Sequence, residues 1–360
     1  MKKIGIVDYD FSVRGGVEQV SVSLAAALAD YYEVHLISLC MGGEAAYELD
    51  ERVQFASLSG PEQRLRKMRR ELKKPLCGYF NDHDIDVALI MGNYPGLLAS
   101  TARFGAKKTK LVFCDHGALM NQWERKDIVF IRLVSSLLCH RVVTLTQQSR
   151  EDYRRKFHLN KNKVLCIPNW IDLDKPHSDA YRADSKKILS AGRFGREKGF
   201  DLLVKAFAPV ARRHPDWQLD LFGDGEMMET VRTLVCELAL EGNVRLMGMR
   251  TDLAERYRDY AMYVLPSYRE GMPLVLLEAK ANRLPIVSFD ILTGPREIVR
   301  DGVDGVLIAP YDLDAMSDAI CRLIENDALR QSMSDCSQAN LEQFSKPTIV
   351  DSWRALIDSL

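Results

Sequence analysis

The chain has 360 residues, enough for two domains with ample cores. At 47% hydrophobic, 28% charged and a formal net charge of -1 it has the balance of a soluble globular protein, and no global basic field argues for a nucleic-acid partner. Its eight cysteines are scattered without a C-x-x-C, which speaks against a disulfide or metal framework and for a reducing compartment.

The stretch MKKIGIVDYD leads straight into a strand, with no signal-peptide hydrophobic region behind it, and no apolar run approaches the roughly 18 residues of a spanning helix. A cytoplasmic protein, at most peripheral on a membrane, is expected. Ile4–Asp8 reads as a buried parallel strand, and Gly15–Gly16 open a helix to about Asp30. Strands at Val34–Leu39 and Val53–Leu58 follow, then a helix over Glu62–Lys74 that Pro75 should stop. Strand Val87–Met91, helix Tyr94–Phe104, strand Leu111–Cys114, a helix near Val129–Cys139, strand Val142–Leu145, helix Gln147–Phe157 and strand Val164–Ile167 complete the first half. Continuous apolar strands alternating with amphipathic helices predict a doubly wound α/β sheet.

Pro168–Ser185 is polar and turn-rich, a connection between domains. The alternation restarts with strand Ile188–Ala191, helix Phe200–Arg213, strand Gln218–Phe222, helix Met227–Leu240, strand Val244–Met247 and helix Asp252–Tyr260. Strand Tyr263–Leu265, a helix from about Pro273, strand Ile286–Phe289, helix Pro295–Arg300 and strand Val306–Ile308 follow, and helices at Leu313–Glu325, Ala328–Phe344 and Pro347–Leu360 close the chain. The boundaries read as 1–168, a linker 169–185, 186–344, and a last helix 345–360.

The most informative stretch is Val264–Ala279, VLPSYREGMPLVLLEA. A strand, a loop carrying Glu270 and Gly271, and a helix carrying Glu278 turn backbone N–H groups and the positive helix end toward an anion such as a phosphate. Glu270 can reach the reacting end of a ligand, and Glu278, about one and a half turns into the helix, a hydroxyl pair further along. A long polyhydroxylated phosphate, a nucleotide sugar, suits that separation. Taken singly, Glu270 is also an ordinary loop carboxylate and Glu278 an exposed helix charge. The apolar neighbours Leu274–Leu277 suggest instead a buried helix, in which a glutamate needs a partner or ligand.

Glu270 and Glu278 resemble the paired glutamates of the retaining glycosyltransferases of family 4, in the segment S-x-x-E-G-x-P-x-x-x-x-E-A. The resemblance covers nearly the whole chain and is most specific over Gly192–Pro310. It implies the GT-B architecture, two doubly wound Rossmann-like domains facing an interdomain cleft, with the amino-terminal domain taking the acceptor and the last helix crossing back onto it. It also implies that Glu278 binds the ribose hydroxyls, that Glu270 lies by the donor sugar, and that the amides of Gly271, Met272 and Leu274 contact sugar or phosphate.

Stabilising a leaving diphosphate takes a divalent metal or fixed cations and dipoles. No obvious D-x-D metal motif stands in a strand-end loop, whereas Gly192–Gly199, GRFGREKG, carries Arg193 and Lys198 at a strand end before a helix. Alone, R-x-x-x-x-K reads as a solvated basic turn. Followed by the glutamate pair it matches the family's spacing and implies diphosphate binding by Arg193 and Lys198 without a metal, Arg196 being a surface residue. By the same resemblance Gly16 approaches donor phosphate or acceptor, His116 hydrogen-bonds the donor sugar, Gly223 comes near the nucleotide and Arg250 near its base. Gly15–Gly16 alone are a common turn signal, a lone histidine is usually structural, and turn chemistry explains Gly223-Asp224-Gly225 without function. Asp115 is a candidate loop-stabilising carboxylate.

Departures from the family pattern are Trp170 for a glycine in Pro168-Asn169-Trp170-Ile171-Asp172, and Asn282-Arg283-Leu284-Pro285, where a glycine is usual before L/V-P. Asn282 tolerates the left-handed turn that a helix cap needs. Thr293-Gly294-Pro295 resembles a variant from enzymes of bacterial surface polysaccharides, with Thr293 either a phosphate donor or a plain N-cap. In Glu62–Lys74, Leu65, Met68 and Leu72 form an apolar seam among the cations of Arg64–Lys74. That helix docks on the sheet or lies against anionic lipid. The expected function is metal-independent, retaining transfer of a hexose or N-acetylhexosamine from a UDP-sugar to a glycan, lipid-linked, in polysaccharide or lipopolysaccharide synthesis. The alternatives are a UDP-sugar epimerase and a non-catalytic nucleotide-sugar binding protein.

Overall fold

The computed structural model describes residues 1–61, 65–173, 181–250 and 252–360, with residues 65–70 described by their backbone alone. Two compact units divide the chain, Met1–Asn169 with Ile349–Leu360, and Trp170–Thr348.

The amino unit is a parallel sheet of β1 (Lys3–Asp10), β2 (Glu33–Cys40), β3 (Gln54–Ser57), β4 (Val87–Met91), β5 (Lys110–Asp115), β6 (Arg141–Thr144) and β7 (Val164–Cys166). Its order is β3-β2-β1-β4-β5-β6-β7. The interior strands are continuous Val, Ile, Leu and Ala runs with almost no exposure, as a sheet covered on both faces requires. The connecting helices are α1 (Gly16–Leu28), α2 (Leu65–Asp82), α3 (Asn93–Ser100), α4 (Lys126–Leu138) and α5 (Gln147–Phe157).

The carboxy unit repeats the scheme with β8 (Lys187–Ala191), β9 (Gln218–Phe222), β10 (Val244–Gly248), β11 (Met262–Leu265), β12 (Ile286–Phe289) and β13 (Gly305–Ile308), ordered β10-β9-β8-β11-β12-β13. Its helices are α6 (Phe200–Arg213), α7 (Met228–Glu237), α8 (Leu253–Arg256), α9 (Leu274–Ala281), α10 (Pro295–Ile298), α11 (Leu313–Ile324) and α12 (Asp327–Cys336). The last helix, α13 (Lys346–Asp358), belongs to the amino unit from Ile349 onward. There Lys2 Nζ donates to the Ile357 carbonyl at 2.9 Å, Tyr32 Oη donates to Asp358 at 2.9 Å, and the Arg354 guanidinium lies 3.9 Å from the Tyr31 ring centre.

In each sheet the strand order reverses beside the first strand, between β1 and β4 and between β8 and β11. Loops leaving the carboxyl ends of those two strands turn to opposite faces and leave a crevice, the standard ligand position in a doubly wound sheet.

Several elements differ from the sequence reading. Pro75 does not stop its helix, since α2 runs through it to Asp82. The missing backbone bond costs about 3 kcal/mol. Leu72, Leu76 and Phe80, four residues apart and each no more than 4% exposed, hold the helix on the core, and burying each such side chain contributes roughly 1.5–3 kcal/mol. Of the expected apolar seam, Leu72 is therefore turned inward, while Arg64 and the side chains of Leu65 and Met68 lie outside the described residues. The helix expected over 328–344 ends at Cys336, because Ser337 and Gln338 donate instead to the carbonyls of Lys280 and Ala281, at 2.9 and 2.7 Å, and so satisfy the end of α9. The helices expected over 94–104 and 252–260 each finish as a 3-10 turn. Among the described residues, no helix is long and apolar enough to cross a membrane.

Candidate functional site

The crevice of the carboxy unit is walled by the loops after β8, β9, β11 and β12. Backbone bonds tie these loops to one another before any side chain is considered. Phe194 N–H donates to the Asp224 carbonyl, Met227 N–H to that of Phe194 and Tyr268 N–H to that of Glu197, each at 2.8 Å. Phe194, fully buried and stacked on Phe200 at 4.4 Å, anchors the GRFGREKG loop to the core. Two glycines permit the closeness. A Cβ on Gly199 (φ +66°) would stand 2.2 Å from the Pro266 carbonyl oxygen, and one on Gly223 (φ +127°) 1.9 Å from that of Gly192. Loop packing alone therefore requires Gly223 to be glycine.

Between the loops after β8 and β11, Lys198 Nζ donates to Glu270 Oε1 at 2.7 Å, and Ser267 Oγ donates to the same oxygen at 2.7 Å. The Glu270 side chain is 8% exposed and that of Lys198 22%, so the pair sits at the rim of the crevice. Thr293 neither caps a helix nor faces outward. Its hydroxyl donates to the Glu270 carbonyl at 2.6 Å from a buried position, and Gly294 is the residue preceding α10. The T-G-P segment is thus a buttress under the E-G-M-P loop.

Arg193 is exposed, and its Nη2 donates to Glu197 Oε1 at 2.7 Å. Burial works against the charge of Glu197, but Arg193, a backbone N–H and Lys198 outweigh it and hold the carboxyl below its ordinary range. Arg196 is exposed as expected. Glu278, the fifth residue of α9, receives Tyr257 Oη on Oε2 at 2.8 Å. Burial first, and then Glu278, push the Tyr257 hydroxyl well above its usual range, so it remains a donor. Tyr263 stacks on Tyr257, and its hydroxyl both receives the Ala191 N–H at 3.1 Å and donates to the Ala191 carbonyl at 3.0 Å.

Gly271 and Leu274 are half-buried, Met272 is buried, and no side chain caps the amino end of α9, whose N-cap is Pro273. Arg250 stands apart, exposed and paired through Nε and Nη2 with Asp252 at 3.0 Å. The left-handed residue after α9 is Arg283 (φ +61°), not Asn282, whose side chain instead caps the Glu278 carbonyl at 2.9 Å. Trp170 has no positive φ, so the missing glycine leaves the backbone there unstrained. Tyr257, Tyr263, Ser267 and Glu197 were passed over in the sequence reading. Only Ser267, within the S-x-x-E segment, had a signal.

In the amino unit Asp115 is a buried anchor. It receives Arg132 Nη2 on Oδ1 at 3.0 Å, Tyr153 Oη on Oδ2 at 2.7 Å and the Gly117 N–H at 3.0 Å, which fixes the turn that carries His116. Burial pushes the His116 imidazole down to about 4 against a smaller pull from Asp115, so the ring is neutral at physiological pH. Its Nε2 is buried without a hydrogen-bond partner among the described residues. A Cβ on Gly16 would meet nothing within 4 Å. Asp8 and Asp10 stand at the end of β1, in Asp8-Tyr9-Asp10. The Asp8 carboxylate receives the Tyr9 N–H at 2.7 Å and Ser21 Oγ at 2.8 Å, and burial raises its pKa to about 7.

Comparison with known proteins gives the family of the chain. The family model "Glycosyltransferase Family 4" matches residues 14–175, and "Glycosyl transferases group 1" matches residues 174–339. A Campylobacter jejuni N-acetylgalactosamine-N,N'-diacetylbacillosaminyl-diphospho-undecaprenol 4-alpha-N-acetylgalactosaminyltransferase is 28% identical, over 97% of both chains. The amylovoran biosynthesis glycosyltransferase AmsD of Erwinia amylovora is 26% identical over 99% of this chain and 100% of its own. Among solved structures, Anabaena HepE in complex with UDP and glucose superposes with a TM-score of 0.84 at 18% identity, over 100% of both chains, a likeness of fold.

Proposed function

Since the chain belongs to the glycosyltransferases of GT-B architecture, we propose that it transfers a hexose or N-acetylhexosamine from a UDP-sugar, with retention of configuration and without a metal. The acceptor on this reading is a lipid-linked glycan of bacterial polysaccharide or lipopolysaccharide synthesis, taken at the cytoplasmic face of the membrane. Support for the acceptor class comes from relatives named for a diphospho-undecaprenol substrate and for amylovoran. Support for the donor comes from a structural neighbour in complex with UDP and glucose.

The observation that carries the proposal is the Lys198–Glu270 pair at the reversal point of the second sheet. As the sugar–phosphate bond breaks, negative charge grows on the leaving diphosphate. A positioned ammonium and an exposed guanidinium fork, Lys198 and Arg193, stabilise that charge, together with the uncapped amino end of α9. Glu270 keeps Lys198 in place and lies beside the sugar. Glu278, oriented by Tyr257, takes the ribose diol. The acceptor oxygen attacks from the face that the diphosphate leaves, and the leaving phosphate takes the acceptor's proton. His116, neutral, donates or accepts a hydroxyl hydrogen bond, and Gly16 leaves room for the substrate.

The cations of Arg64–Lys74 are the surface we assign to anionic lipid. With Leu72 turned into the core, the contact leans on charge, so binding to anionic vesicles should weaken as salt is raised. The transfer itself is tested by incubating the protein with UDP- and GDP-sugars, a bacterial lipid extract and EDTA. UDP release with EDTA-resistant labelling of lipid, and a product anomer matching the donor, are expected. Use of GDP-sugars alone, an inverted anomer, or epimerisation without an acceptor would each sink it.

A further inference from the structure

Beyond the carboxyl end of β13, Tyr311 adopts a backbone conformation that its side chain does not favour. It stands third in the turn 309–312, which the Asp312 N–H closes on the Ala309 carbonyl at 3.2 Å, and its φ is +68°. Proline second and a positive φ third are the pattern of a type II turn, whose third place calls for glycine or asparagine. For a bulky side chain such a φ is an outlier, kept only where the surroundings over-determine it. Asp84, His158, Ala239 and Arg283 share the positive sign, but they follow the ends of α2, α5, α7 and α9, where a left-handed residue is an ordinary cap. Tyr311 instead stands two residues before α11.

The contacts of the side chain are what a glycine would lack. The Tyr311 ring, half-exposed, lies 5.9 Å from the ring of Phe289 at the end of β12 and 5.2 Å from that of Tyr268. Its hydroxyl donates to the Tyr268 carbonyl at 3.1 Å, 43 residues earlier in the chain. Tyr268 is where two walls of the crevice join. Its N–H donates to the carbonyl of Glu197, the residue that holds Arg193, and it follows Ser267, whose hydroxyl bonds Glu270. The loop carrying Glu270 is thus fastened at two carbonyls, that of Tyr268 by Tyr311 and that of Glu270 by Thr293. Glycine would make the turn without strain and leave the first of these carbonyls unheld. We propose that Tyr311 is a positioning residue of the transfer site, which fixes the 267–270 segment so that Glu270 meets the donor sugar. Its part in transfer rests on the function proposed above, whereas the fastening of the loop does not. A small displacement of Glu270 is felt in the chemical step rather than in UDP affinity, since UDP carries no sugar.

Tyr311→Phe removes the hydroxyl and keeps turn and ring, whereas Tyr311→Gly removes the side chain together with the strain. Hydrogen exchange read by mass spectrometry on the full chain should show the amides of 267–272 exchanging about fivefold faster in Tyr311→Phe, the worth of one neutral hydrogen bond, and faster still in Tyr311→Gly. With a UDP-sugar that the wild type turns over, kcat should fall about fivefold in Tyr311→Phe and further in Tyr311→Gly, while UDP affinity by calorimetry holds. Tyr311→Ala, which keeps the strain without the contacts, should have a lower Tm than Tyr311→Gly and an equally low kcat. A residue that only stabilised the fold would instead move Tm and kcat together. Unchanged exchange in the variants, faster exchange with kcat unmoved, a parallel loss of UDP affinity, or a Tm for Tyr311→Gly at or below that of Tyr311→Ala would each overturn the proposal. If exchange responds as stated while the wild type turns over no UDP-sugar, the fastening stands and the transfer reading falls. If the wild type transfers sugar and the variants match it in exchange and kcat, the reverse holds.

Discussion

At the carboxyl edge of the second sheet the polar groups of the crevice are already committed to one another. Lys198 and Ser267 meet on Glu270, Thr293 props that residue's carbonyl, and Tyr257 holds Glu278. At the corresponding edge of the first sheet, Asn93 and His116 keep buried atoms without partners among the described residues, and a Cβ on Gly16 or Gly92 would meet nothing within 4 Å. One strand order thus supports two kinds of site. A surface satisfied internally is preorganised and suits a ligand of constant shape, such as a nucleoside diphosphate. A surface with unmet hydrogen bonds depends on its ligand to complete it, which suits the half of a transfer reaction that differs between relatives.

The largest effect should come from undoing the committed side. Lys198→Ala should lower kcat/KM for UDP-sugar about 10²–10³-fold, read as UDP release, with circular dichroism unchanged. A loss under tenfold would mean that the pair is structural. The glycines come next. Gly223→Ala drives a methyl group against the Gly192 carbonyl at positive φ and should cost about 3 kcal/mol in urea unfolding. Gly16→Ala should cost no stability, and equal losses in the two variants would erase the contrast between the edges.

Asp8 sharpens the comparison through pH. Its native pKa of about 7 lies above the unfolded value, so the native state keeps a proton that the unfolded chain gives up. The stabilisation is complete below about pH 4 and is lost as pH rises through 7, a swing on the order of a few kcal/mol. Asp8→Asn should match the wild type in acid and exceed it at pH 8 in a urea series, and a deficit there would refute the buried-carboxyl account. The smallest effect is expected from Tyr257→Phe. Loss of one charge-assisted bond to Glu278 should weaken UDP binding about tenfold by calorimetry and move kcat less.

The order of strands and helices was legible because buried parallel strands are apolar throughout and their connecting helices are not. Helix ends were less so. Pro75 looked like a stop, but Leu76 and Phe80 beyond it bury enough surface to carry the helix past a missing bond. Ser337 and Gln338 looked helical, yet they bond the end of α9, a partner remote in sequence. In the candidate site, Arg193, Lys198, Glu270 and Glu278 were singled out through the family resemblance, and the structure joins Lys198 directly to Glu270. Tyr257, Thr293 and Arg132 act across the fold on groups 21, 23 and 17 residues away. No local pattern marks such pairs. That Asn93 Oδ1 and His116 Nε2 have no partner among the described residues could not be seen at all, since a sequence does not show which polar groups go unpaired.

The return of α13 to the amino unit has a consequence for biosynthesis. Ribosomes emit a chain from its amino end, and domains fold as units when they are complete. Residues 170–348 are all available before Ile357 and Asp358 can reach Lys2 and Tyr32. The unit that begins first is therefore the last to be finished, and until then the nascent amino half lacks the Trp353, Leu356 and Ile357 side chains, all buried in the finished protein.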